Sequence, residues 1–80
     1  MSIYDPLFEW LQRQNNNRIA TTFAQIETVL HFDLPDTARR RPQWWENNPN
    51  HHSHARAWLD AGFRTEEVDL IRETLAFVRS

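Results

Sequence analysis

The sequence predicts a small α+β domain, on three observations. Apolar residues recur at helical spacing along most of the chain up to Ala61. Arg18-Ile19-Ala20-Thr21 is a short stretch with β-branched residues at its centre and end, suited to a single strand. The tail from Phe63 to Ser80 reads in twos as well as in helical period. That double reading keeps an all-α alternative open. Val68, Ile71, Leu75 and Val78 form a helical stripe behind Thr65-Glu66-Glu67, whereas Val68/Leu70 and Leu75/Phe77 make two strands joined at Ile71 to Thr74. The missing turn glycine or asparagine counts against a hairpin, so periodicity alone favours a C-terminal helix.

The elements follow in chain order. Ile3 to Arg13 predicts a first helix, with Pro6 in its first turn and Leu7, Trp10 and Leu11 on one face, widened by Phe8. Asn15, Asn16 and Asn17 stop it. After the strand, Thr22 and Gln25 form a capping box that opens a helix from Phe23 to about His31, with Phe23, Ile26, Val29 and Leu30 on its apolar side. Pro35 cannot continue that helix but can begin the next, and Asp36 or Thr37 caps a third helical stretch, DTARRRPQWWEN. Pro42 lies inside it and predicts a kink or a break. Asn47 to Asn50 is a turn cluster, and a further helix runs from His51 or His52 to Ala61, closed by Gly62.

Eighty residues make one domain, 1–80, with one modest core. Hydrophobic content of 40% and charged content of 25% are those of an ordinary globular chain. With no cysteine, disulfides and thiolate metal sites are excluded and a reducing cytoplasm is expected. No apolar run approaches a membrane span, and the N-terminus lacks the charged-then-apolar layout of a signal peptide, so no membrane association is expected. The formal charge of −2 gives no global basic field, yet every basic residue apart from the histidines is arginine. Arginine's planar fork suits phosphate, carboxylate and guanine; the plain alternative is codon bias.

The segment Thr37 to Trp58 gathers four of the nine arginines, three of the four tryptophans and three of the four histidines. Ala38-Arg39, Trp44-Trp45-Glu46-Asn47, Arg56-Ala57-Trp58-Leu59-Asp60-Ala61-Gly62-Phe63 and Val68-Asp69-Leu70 resemble the pattern of an uncharacterised bacterial domain family. PLFEWL and TFAQIETVL extend the likeness over nearly the whole chain. The family brings no activity to transfer. The resemblance does imply turn-forming residues near Ile71 to Thr74, which tips the tail towards the hairpin, although this chain departs from the pattern there. The expected order is then that of a small winged helix-turn-helix-like domain: three to four helices, a short strand and a C-terminal β-hairpin. By this analogy Ala55 to Phe63 resembles a recognition helix running into a wing.

Arg39, Arg40 and Arg41 are the densest positive charge, fanning over about 100° per residue on a helix and so able to straddle a phosphate backbone. Their plain reading is a solvated surface paired with Asp33, Asp36 and Glu46. Trp44 and Trp45 point in different directions on any regular element, as core anchors or as one anchor with one stacking ring. Asn47 and Asn48 suit an adenine edge, or simply a turn. His52 and His54 at a helix start suit phosphate, with Arg56 beside them. A metal held by His51 and His54 lacks a second downstream pair, and no metal or cofactor is expected. With one glycine and few serines, nucleophile and phosphate-loop signatures are missing, so no catalytic residue is assigned.

The expectation is a cytoplasmic DNA-binding module, regulatory or targeting, that prefers duplex to single strands. Its contacts would be Arg39, Arg40, Arg41, Trp44, Trp45, Asn47, Asn48, His52, His54 and Arg56. The rival is a protein-interaction domain, antitoxin- or adaptor-like, or a homodimer. Arginine and tryptophan also dominate protein hot spots, and the net negative charge suits that reading.

Overall fold

Proline and an apolar stripe start the fold where the sequence puts them. In the computed structural model, which describes residues 2–50 and 53–80, helix α1 spans Asp5–Gln12 with Pro6 in its first turn and Leu7 and Leu11 buried one turn apart. Strand β1, Arg18–Thr22, follows the asparagine run. Thr22 is also the N-cap of α2, Phe23–Leu30, its hydroxyl accepting the Gln25 N–H at 3.0 Å. Among the described residues the Gln25 side chain does not return the bond, so this is half a capping box. Helix α2 ends at His31, a left-handed residue at φ 67° whose N–H donates to the Glu27 carbonyl.

Pro42 breaks the third helical stretch. Helix α3 is only Asp36–Arg40; Arg41 turns extended before the proline, and Pro42–Trp45 forms a separate 3-10 turn. Asn48 then takes the Asn50 N–H on its side chain, the turn expected there. A 3-10 turn at Ser53–Ala55 leads into α4, Arg56–Leu59. The expected start of that helix at His51 or His52 lies outside the described residues. Gly62 adopts φ +88° and donates to the Leu59 carbonyl, reversing the chain into the sheet.

The tail is a hairpin. β2, Phe63–Asp69, and β3, Thr74–Arg79, pair antiparallel, and β1 pairs with the other side of β3, giving the sheet order β1-β3-β2. The helical stripe fails because one of its members, Ile71, is 95% exposed at the turn. No glycine is needed. Asp69 Oδ1 accepts the N–H groups of Ile71 and Arg72, each at 3.0 Å, and Glu73 takes the left-handed conformation at φ 57°. A bulge at Glu67, φ 54°, shifts the register between Glu66 and Asp69.

Alternation turns Ile19, Thr21, Phe63, Thr65, Leu75 and Phe77 to one face of the sheet, and the helices cover it. There Phe23 stacks on Trp45 at 4.9 Å, Trp45 on Trp58 at 6.0 Å, and Trp58 tilts against Phe77 at 5.9 Å. The opposite face carries Ala20, Ala76 and an ionic lattice of Arg18 and Arg64 with Glu66, which Arg18 extends to Glu67. Arg79 lies 4.5 Å over the Phe63 ring and donates to the carbonyls of Gln14 and Asn16 and to the Asn17 side chain, tying β3 to the loop before β1. Among the described residues no helix is long and apolar enough to cross a membrane.

Candidate nucleic-acid interface

Arg39 sits in the middle of a three-element clamp. Its guanidinium grips Glu27 of α2 bidentately, at 2.8 and 3.0 Å, and its Nε–H reaches Glu73 of the hairpin turn at 2.9 Å. Glu27 also accepts the Leu34 N–H at 2.7 Å. The Arg39 hydrogen bond holds the Glu27 carboxyl below the usual glutamate range, against the opposing effect of burial. The same partner pushes the Arg39 pKa further up. Arg39 is therefore spoken for inside the fold, which corrects its reading as a surface contact.

Arg40 and Arg41, the next two residues, are exposed. Among the described residues neither makes an ion pair or a side-chain hydrogen bond. The Arg39–Glu73 contact brings α3 and the hairpin turn together. Arg72 belongs to that turn; its side chain is 82% exposed and lies 4.0 Å from Asp69. Sequence reasoning missed Arg72. The signal was available in principle, since a cation in a short loop between two strands must be displayed.

The other expected contacts separate. Trp44 and Trp45 are both buried, and the Trp45 Nε1–H donates to the Ala38 carbonyl at 2.8 Å. Neither ring is available for stacking on a base, because a core this small needs both. Asn47 is a structural bracket. Its Oδ1 accepts the Trp58 Nε1–H and the Thr65 N–H, both at 2.9 Å, and its Nδ2 donates to the Thr65 carbonyl at 3.2 Å. Asn48 shapes its own turn. His54 stacks flat on Trp44, centroids 3.8 Å apart, with Nε2 2.5 Å from the Trp44 carbonyl and so placed to donate to it. His52 lies outside the described residues.

Arg56 is exposed at a different place. With Tyr4, Asp5, Phe8, Ala57 and Asp60 it lines an open groove of about 550 Å³ between the start of α1 and α4. Burial raises the Tyr4 phenol pKa above its ordinary value. The segment read as a recognition helix is a single turn whose Ala57 and Trp58 are buried, leaving no length to lie along a groove of DNA. Among the described residues no three histidine or acidic side chains gather as a metal site would require.

Comparison with curated proteins and with solved structures finds no match. A family model does match, over residues 4–80. The chain belongs to the family described as Domain of unknown function (DUF7662).

Proposed function

We propose that this domain binds the phosphate backbone of duplex DNA through Arg40, Arg41 and Arg72. The observation that carries the reading is the contrast within one triplet: Arg39 is pinned between Glu27 and Glu73, while Arg40 and Arg41 stay open to solvent. A pinned neighbour presents the free cations on a rigid base, which lowers the ordering cost of binding. Helices on one face of a β1-β3-β2 sheet with a C-terminal hairpin also agree with the winged helix-turn-helix analogy.

The mode is backbone contact rather than base readout. Helix α4 is too short to serve as a reading helix, and Asn47 is occupied. Burial of Trp44, Trp45 and Trp58 takes away the stacking rings that the arginine-rich segment could have offered a single strand, which supports duplex. Among the described residues the large exposed apolar side chains are Ile3 and Ile71, too few for the patch that the protein-interaction rival asks for.

Fluorescence anisotropy with a short duplex across a salt series tests the proposal. Three phosphate contacts give a log–log slope of about −2.7, and Arg40→Ala with Arg41→Ala brings it to about −0.9. No binding at low salt, or a slope unchanged by the double variant, removes the proposal.

A further inference from the structure

We propose that the groove between the start of α1 and α4 is a binding site for a small basic α-amino acid of the lysine or ornithine type. This inference is independent of the DNA reading and uses none of its residues. The groove's volume, about 550 Å³, lies within the range of small-molecule sites, and its wall is mixed as such sites are. Phe8 and Ala57 supply apolar surface. Tyr4 is anchored from behind by edge contacts with Phe32 at 5.7 Å and Trp44 at 6.0 Å, so that wall is fixed before any ligand arrives.

Charge decides the ligand class. Arg56 opens α4 and Asp60 caps its C-terminus one turn on, and Asp5 opens α1 across from them. Among the described residues none of the three has an ion-pair partner, although Arg56 and Asp60 have the spacing to pair. The Asp5 carboxylate accepts the Ser2 N–H at 3.3 Å. Two carboxylates and one guanidinium give the groove a net charge of −1. One carboxylate and two ammonium groups are the complementary set, and a methylene stem between them covers Phe8 and Ala57. The carboxylate goes to the Arg56 fork, which donates two N–H bonds to it, and the ammonium groups go to Asp5 and Asp60.

Titration of the isotopically labelled protein with L-lysine, followed by amide NMR shifts, tests this. Saturable shifts are expected at Tyr4, Phe8 and Ala57 with Kd on the order of 1 mM or below. L-Glutamate at the same concentration and ionic strength should move none of them. Arg56→Leu and Asp60→Asn, each checked for a native spectrum, should weaken lysine about tenfold. The Arg40→Ala, Arg41→Ala double variant should bind lysine as the unaltered protein does. Absence of saturable shifts with lysine, an equal response to glutamate, or unchanged binding by both groove variants overturns the proposal.

Discussion

Removing the Arg39 guanidinium leaves Glu27 and Glu73 converging with no cation between them, and leaves the Leu34 N–H on a carboxylate that has lost its counter-charge. Glu27 is mostly buried, with 17% of its side chain exposed, so solvent replaces the lost partner poorly. Arg39→Ala should destabilise the domain by about 1–3 kcal/mol, read as a fall in Tm. The pH dependence has a definite sign. A carboxylate held below its ordinary pKa contributes its full stability above the unfolded value of about 4.3 and loses it as the pH falls through the folded value. Thermal melts should show stability dropping below about pH 4, and Glu27→Gln should flatten that part of the curve. Asn47 gives a second test. Asn47→Ala orphans the Trp58 Nε1–H and the Thr65 N–H, at a cost of about 2–4 kcal/mol by denaturant melts. Asn47→Asp keeps the acceptor but sets a carboxylate oxygen against the Thr65 carbonyl that the Nδ2 now serves, and should recover only part of the loss. A groove-reading asparagine would show neither loss nor rescue in stability.

Helix caps and turns show what local sequence can specify. The Thr22 cap, the proline break at Pro42 and the reversal at Gly62 were all readable, because each depends on residues within a few positions of one another. The hairpin turn was not readable in the same way. A glycine was the expected signature, yet Asp69 and left-handed Glu73 do that work, and Glu73 is held from a distance by Arg39. Helical periodicity in the tail misled because Val68, Ile71, Leu75 and Val78 are spread over a bulge, a turn and a strand. His31 bears the same left-handed geometry on an exposed side chain, and this makes it an inexpensive place to gain stability. His31→Gly relieves that strain and should raise the stability by about 0.5 kcal/mol, or Tm by roughly 2–4 °C.

At the scale of the molecule, the crowding of arginine and tryptophan in Thr37 to Trp58 has several physical answers. The tryptophans are core, Arg39 is a clamp, Arg40 and Arg41 are open, and Arg56 faces a groove. The residues that carried the family resemblance are largely those that hold the fold: Trp45, Asn47, Trp58, Gly62, Phe63 and Asp69. Composition could announce that the segment matters but could not sort its members, since burial is decided by contacts with α1, α2 and β3. The sheet order carries one last consequence. Strands β1 and β2 share no backbone pairing; each forms its ladder with β3, the last of the three to be synthesised. A nascent chain on the ribosome therefore holds two strands with no common neighbour until Thr74 to Arg79 emerge, and closure joins Arg18 to Val78 across most of the chain. A fragment ending at Arg72 should give the collapsed amide spectrum of an unfolded peptide; well-dispersed native signals from it would contradict this order of assembly.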